Sequence, residues 1–455
     1  MRCGFVMTAF LTNAFMLARE VGDETVNVIK NNPDKVYFPF FGDGENILNS
    51  GITIDRVFFT IPGIDFKVYW YGFLIALGLF LALLYGYRKM VPYGLDPDKM
   101  TDAIMGGFLG AMVGARLYYV VFNDVGIGIK DFFDTRNGGL AIYGGVIGAL
   151  LVGGIILKAK RLKVATAFDV AAPCFLIGQC IGRWGNFFNQ EAFGTNTDMP
   201  WGMMSSKTIS YLVSVGDDYA IKSGEILDYY MPVHPCFLYE SIWCLIGFVI
   251  LHLYSKHRKF DGEVFLMYIG WYGLGRFFIE GVRTDSLYIG NIRVSQLVAG
   301  TCVLAAIVLI IIFRGMAKRA GDYKLYCETE DSQIQLAGYK LYTQYNKDKK
   351  ELNNKISEAK SLGNDFSALQ KEYDEKYGPE GKKKLEQALT ELEAKAKEYY
   401  KKNKNTTSEK KNDDYQPILD EEEAVENAEE AADDVADVIT EEATQDADET
   451  KEDEE

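Results

Sequence analysis

Seven apolar runs, each about as long as a bilayer crossing requires, fill the chain at approximately 68–87, 102–122, 139–157, 165–182, 235–254, 262–281 and 294–313. Their length restricts the fold sharply, because backbone N–H and C=O groups in hydrocarbon must pair within the segment, and helices do this. Basic residues then set an orientation. Arg88, Lys89 and Lys99 follow the first run; Lys158, Lys160, Arg161 and Lys163 the third; Lys256, Arg258 and Lys259 the fifth; Arg314, Lys318, Arg319 and Lys324 the seventh. These are alternate loops, so one alternation satisfies all four. The expected fold is an all-α polytopic membrane protein with seven transmembrane helices, N-terminus outside and C-terminus cytoplasmic. The connections near 123–138, 183–234 and 282–293 then face outward.

The flanks differ from this middle. Residues 1–35 hold an apolar stretch, Phe5–Ala18, too short to span and without an assigned role. Residues 36–67 place Tyr37, Phe38, Phe40, Phe41, Phe58 and Phe59 among Gly and Pro, and read as an aromatic arm at the membrane interface. The transmembrane domain covers 68–318. Residues 319–402 are charge-rich and helical in pattern, with Leu385, Leu389, Leu392, Ala396 and Tyr399 on one face and a break at Gly378–Pro379. Beyond 403 the tail is acidic and of low complexity, which predicts disorder. From Asp413 to Glu455 it carries 21 acidic residues and one Lys, so a net charge of -16 for the whole chain conceals about +4 on the rest. The seven Cys form no metal-ligand spacing, and no metal, cofactor or nucleic acid is expected.

Charged residues inside such a domain are costly unless paired or functional. Tyr272, Arg276, Glu280 and Arg283 follow spacings of 4, 4 and 3, which predicts one helical face. Cys180–Gly194 sets Arg183, Asn186, Asn189 and Glu191 at the outer end of the fourth run. Arg116, Asp169, His234 and Glu240 are read as lying near the outer ends of other runs, and Tyr71 begins the first. His234 fits a hydrogen-bonding role at a helix start. The surplus of Arg over Glu suits an anionic ligand, since guanidinium binds phosphate or carboxylate oxygens through two donors. In a membrane, a phospholipid headgroup is the abundant anion at that depth. The glycines of Gly138–Gly145 allow close helix packing or a turn near a headgroup.

Together, Gly182-Arg-Trp-Gly-Asn-Phe-Phe-Asn-Gln-Glu-Ala-Phe-Gly194, Trp70-Tyr-Gly72, Gly138-Gly-Leu-Ala-Ile-Tyr-Gly-Gly145, Asp169-Val-Ala-Ala-Pro173, His234-Pro-Cys-Phe-Leu-Tyr-Glu240 and Tyr272-Gly-Leu-Gly-Arg-Phe-Phe-Ile-Glu-Gly-Val-Arg283 resemble bacterial prolipoprotein diacylglyceryl transferases, in that family's order, over about residues 36–318. The resemblance implies a multi-pass enzyme of the bacterial inner or plasma membrane. Its substrates would be phosphatidylglycerol and the lipobox Cys thiol of a preprolipoprotein, and glycerol phosphate would be released. It implies roles for Arg183, Asn186, Glu191, Tyr71, Tyr272, Arg276 and Glu280; with the hydroxyl of Tyr143 added on chemical grounds, the candidate catalytic set is Arg183, Arg276, Tyr143, Glu191 and Glu280. Phosphatidylglycerol would be bound by Arg183, Asn186, Asn189, Tyr71, Tyr272, Arg276, Gly144 and Arg283. One position departs from the family pattern: Tyr143 stands where many members have His, so an imidazole base is missing there.

The chemistry agrees with the residues. A thiol attacks a glycerol carbon and a phosphate ester leaves; Arg183 and Arg276 can stabilise the charge that develops on the leaving oxygen. Tyr143, Glu191 or Glu280 can take the thiol proton, and the sequence does not rank them. Two other classes compete: a transporter or anion channel, against which there is no internal repeat or through-path of polar groups, and a lipid-binding sensor, for which the soluble extension argues.

Overall fold

The computed structural model describes residues 22–38, 47–63, 66–122, 139, 141–223, 227–284, 286, 288–289, 292–362 and 364–409. In chain order its elements are α1 (Asp23–Lys30), β1 (Lys35–Tyr37), β2 (Ile52–Thr53), β3 (Val57–Ile61), β4 (Phe66–Tyr69), α2 (Trp70–Met90), α3 (Pro97–Phe122), α4 (Ile142–Ala159) and α5 (Val164–Asn189). There follow β5 (Met204–Ser205), α6 (Ser206–Ser223), α7 (Cys236–Tyr254), α8 (Glu263–Val282), β6 (Tyr288–Ile289), β7 (Ile292–Arg293), α9 (Val294–Ala320), α10 (Glu330–Ser361), α11 (Ser367–Tyr377) and α12 (Pro379–Glu409). Each apolar run lies on a helix. Five of these, α2, α3, α5, α7 and α9, are long and apolar enough to cross a membrane. Helix α4 is shorter, and α8 carries Glu263, Arg276 and Glu280 within its 20 residues. On α9, Leu297, Leu304 and Ile311 are at least 60% exposed, as side chains facing lipid would be.

The chain forms two compact units, Met1–Lys89 with Phe168–Tyr323, and Met90–Ala167 with Lys324–Glu455. In the first, small residues let helices approach: a Cβ on Gly78 would touch the Gly178 backbone, and one on Gly86 would meet Cys174 Sγ. Helices α7 and α8 are clasped reciprocally. Trp243 and Trp271 stack with centroids 4.4 Å apart, and each indole N–H donates to the other residue's carbonyl, at 2.9 and 3.0 Å. Trp271 fills the space a side chain at Gly247 would need, and Trp243 does the same at Gly275.

The connection between α5 and α7 is folded rather than open. Its strand β5 pairs antiparallel with β1, which pairs in turn with β2. Val36, Phe38, Ile54, Phe193, Met203, Leu212, Val233 and Phe237 form an apolar core there, with Tyr37 and Met204 in a neighbouring cluster. The aromatic stretch therefore behaves in two ways: Tyr37 and Phe38 are buried in these cores, whereas Phe59 and Phe66 of the β3–β4 hairpin are exposed. Phe40, Phe41, the stretch Phe5–Ala18 and the acidic tail from 410 lie outside the described residues.

In the second unit α3 and α4 pack backbone to backbone. A Cβ on Gly110 would lie 2.5 Å from the Gly148 carbonyl, and one on Gly144 would overlap that of Gly114. Helices α10 to α12 pack together, with Leu336, Leu352 and Ile356 buried, and the break at Gly378–Pro379 separates α11 from α12. This extension is tied to the turns that flank α3 and α4. Ser332 Oγ donates to Gly94 O (2.9 Å), Gln335 Nε2 donates to Arg161 O (2.7 Å), and the Arg161 guanidinium lies 4.0 Å from the Tyr400 ring centroid.

Candidate active site

Helix α5 runs two turns past its apolar stretch, so Arg183, Asn186 and Asn189 are helical and recur every three residues along one side. The helix ends without a glycine. Gln190 occupies the left-handed region (φ 53°), with Gln190 N–H donating to Phe187 O at 2.9 Å and Glu191 N–H to Asn186 O at 3.0 Å, the two bonds of a Schellman cap. Left-handed backbone at a residue with a side chain costs roughly 1–2 kcal/mol, and Ala192 repeats it at φ 58°. The surroundings hold this turn: Gln190 Nε2 donates to Pro33 O (3.0 Å), and Lys207 Nζ to Asn189 O (2.6 Å). The result folds Glu191 back, and its Oε1 accepts from Asn186 Nδ2 (3.0 Å) and Asn189 Nδ2 (3.3 Å).

One turn earlier on α5, Arg183 joins a buried charge cluster. Its centre is Glu240 on α7, which pairs with Arg183, with Arg276 (3.0 Å) and with Arg283 (3.3 Å); Arg276 also pairs with Glu280 at 2.7 Å. Three arginines against two glutamates leave a net +1. The side chains of Glu240, Glu280 and Arg283 are under 10% exposed, whereas those of Arg183 and Arg276 keep 22% and 23%. The accessible positive surface thus belongs to Arg183 and Arg276, with the acids behind them. The Trp243–Trp271 clasp, three residues beyond Glu240 on α7, sets the register in which Glu240 meets Arg276.

Several sequence expectations change here. Arg283 is not on the α8 face: the helix ends at Val282, and Arg283 is extended and bridged antiparallel to Gly194, from where it reaches Glu240. Asp169 does not lie at the Arg183 end of its helix. It sits near the start of α5, fourteen residues before Arg183, and accepts from the N–H groups of Gly262 (2.7 Å) and Phe265 (2.9 Å) where α8 begins. His234 is structural, as its position before a helix predicts: its backbone bonds Thr195 and Gly194, and Nδ1 lies 3.0 Å from the Tyr239 hydroxyl. Burial holds the His234 imidazole below its ordinary range, opposed by the charge of Asp198.

Tyr71 packs its ring on Gly185, where a Cβ would lie 2.5 Å from it, and the neighbouring Trp70 stacks on Phe188 at 4.6 Å. Tyr272 stacks on Tyr268 at 5.9 Å, one turn before Arg276. Tyr143 and Gly144 belong to the other unit, where the Tyr143 ring is 74% exposed and lies 6.5 Å from that of Tyr118, while Gly144 serves the close α3–α4 approach. Arg116 donates to Gly139 O at 2.8 Å in that same unit.

Two residues that hold this site together were not assigned that part from the sequence. Glu240 was visible as a polar residue in an apolar setting, but nothing in its spacing marks it as the partner of three arginines, on α5, on α8 and just beyond the end of α8. Arg293 gave no signal at all. It closes the end of α8 by donating to the Glu280 carbonyl at 2.7 Å and to that of Gly281, satisfying groups a helix C-terminus leaves unpaired.

Comparison with known proteins finds one family. The family model for prolipoprotein diacylglyceryl transferase matches residues 56–312. The phosphatidylglycerol–prolipoprotein diacylglyceryl transferase of Clostridium novyi is 40% identical over 262 residues, which cover 57% of this chain and 95% of the relative. That of Enterococcus faecalis is 43% identical over 267 residues, covering 57% and 91%. That of Finegoldia magna is 39% identical over 264 residues, covering 57% and 96%.

Proposed function

Because the chain belongs to the prolipoprotein diacylglyceryl transferase family, we propose that it moves the diacylglyceryl group of phosphatidylglycerol onto the lipobox Cys thiol of a preprolipoprotein, the first step of lipoprotein maturation. The enzyme works in the bacterial inner or plasma membrane, with seven spans, N-terminus outside and C-terminus cytoplasmic. The exposed rings of Phe59 and Phe66 lie in the headgroup region.

The observation that carries the catalytic reading is the net positive cluster whose open face is Arg183 and Arg276. In the reaction the sulfur lone pair forms a C–S bond to the glycerol carbon. The C–O bond to phosphate breaks, its electron pair stays on the phosphate oxygen, and glycerol phosphate leaves. Arg183 and Arg276 bind the phosphate and stabilise that oxygen, in a site where water is scarce and a fixed charge acts strongly. Glu240 and Glu280 hold the guanidinium groups in place beforehand, so little reorganisation accompanies charge transfer. Arg283 supports them from the buried side, and Tyr71, Tyr272, Asn186 and Asn189 shape the walls. Of the carboxylates able to take the thiol proton, Glu280 is committed to Arg276, whereas Glu191 binds both asparagines through Oε1 and, among the described residues, leaves Oε2 without a donor. That favours Glu191, with Tyr143 as the hydroxyl alternative.

A transfer assay with labelled phosphatidylglycerol and a lipobox peptide tests the reading. The expected product is a thioether-linked diacylglyceryl peptide plus glycerol phosphate; a purified, folded enzyme that makes neither would overturn it.

A further inference from the structure

Beside Glu191 lies a cavity of about 400 Å3, lined by Gln190–Phe193, by Ser206, Lys207, Ser210 and Tyr211 of α6, and by Thr284. Its size falls at the lower end of the roughly 300–1,000 Å3 of ligand clefts. It lies close to the charge cluster along the chain: its lining residue Thr284 follows Arg283, and Gly194, bridged to Arg283, follows its lining residue Phe193. The cavity itself is built differently. Phe193 and Tyr211, edge to face at 5.2 Å, provide an aromatic side, and Glu191, Lys207 and two serines provide a polar one.

One buried group in this wall lacks a donor, and an exposed one has an acceptor to spare. Gln190 is 2% exposed, and with Nε2 given to Pro33 O its Oε1 has no hydrogen-bond partner among the described residues. An unpaired buried carbonyl is expensive. Glu191 uses Oε1 for both asparagines, and Oε2 takes no donor among the described residues. The spare acceptors therefore match a ligand rich in N–H groups, as a peptide backbone is and a phosphatidylglycerol headgroup, which carries only hydroxyl donors and a phosphate, is not. Location points the same way. A signal sequence keeps its apolar region in the bilayer before the cleavage site, while this cavity is formed by the connection beyond the end of α5, outside the apolar helices.

We propose that this cavity docks the substrate polypeptide on the C-terminal side of its reacting cysteine, taking the first few residues of the future lipoprotein as an extended chain. The proposal rests on the transferase reading above. It gives the enzyme a peptide subsite separate from its phosphate site, and makes the sequence just after the cysteine a determinant of KM.

The test compares two lipobox peptides, one ending at the reacting cysteine as an amide and one extended by four residues. The wild-type enzyme is expected to favour the extended peptide about tenfold in kcat/KM, the effect of a hydrogen bond or two gained, through KM for the peptide. Ser210→Trp, on an exposed position of α6, fills the cavity and is expected to reduce that preference to about one. Val213→Trp adds the same bulk to the same helix at an exposed position away from the cavity, and is expected to keep the preference. The proposal is overturned if the wild-type enzyme uses both peptides equally, if Ser210→Trp keeps the preference, or if that variant instead raises KM for phosphatidylglycerol. Failure of the wild-type enzyme to modify either peptide would instead overturn the transferase reading.

Discussion

Acidic and basic residues stand four apart both on α8, as Arg276 and Glu280, and along the extension, as Glu351 and Lys355 or Glu372 and Lys376. The spacing is the same and the consequences are opposite. In the extension these side chains are 37–60% exposed, so water screens them and each pair contributes roughly 0–1 kcal/mol. On α8 the pair is mostly buried, joined to Glu240, Arg183 and Arg283, with its acid almost fully shielded from water that could replace a lost partner. Burial rather than sequence spacing decides which ion pairs matter.

The sharpest way to break this contrast is at the arginines. Arg183→Ala and Arg276→Ala are each expected to lower transfer of labelled diacylglyceryl by about 10²–10³, as loss of one preorganised donor does. Normal transfer by both variants would remove the phosphate site from the mechanism. Glu240→Gln comes next. It leaves three guanidinium groups facing a neutral amide, and breaking such buried pairs costs about 3–5 kcal/mol. A marked fall in melting temperature in detergent is expected, and an unchanged one would make the cluster no more important than a surface ladder.

Tyr143→Phe, in the other unit, is expected to lower activity, while Tyr143→His preserves part of it. Full activity of the Phe variant would exclude the hydroxyl. A smaller effect attaches to His234. Burial depresses its folded-state pKa below the ordinary value near 6.5, so the unfolded chain binds the proton more readily. Its contribution to stability is complete above about pH 6.5 and is lost as the pH falls below that value towards the folded-state pKa. His234→Asn should flatten this acid limb in thermal melts between pH 5 and 7. Smallest of all, Lys355→Ala should change stability by less than about 0.5 kcal/mol, and removal of 320–455 should leave transfer intact in protein that inserts normally.

The helices were legible in the sequence because hydropathy over twenty residues is a strong, local signal, and Arg183, Arg276 and Glu280 stood out because charge in such runs needs a reason. What the sequence hid was non-local. Glu240 meets arginines 57, 36 and 43 positions away, Arg283 leaves its helix one residue too soon for a periodicity argument, and Asp169 belongs to the far end of α5. The connection after Asn189 looked like a long loop because α6 is amphipathic and its strands are two or three residues long, too short to register as a pattern.

The Trp243–Trp271 clasp carries a practical consequence. Stacked indoles 4.4 Å apart couple their electronic transitions, and these two are among only five Trp in the chain. Because the same pair fixes how far α7 is slid along α8, near-ultraviolet circular dichroism becomes an optical gauge of whether Glu240 still faces Arg276. It can be read without substrate, and variants of the charge cluster can be sorted by it into those that lose chemistry and those that lose register.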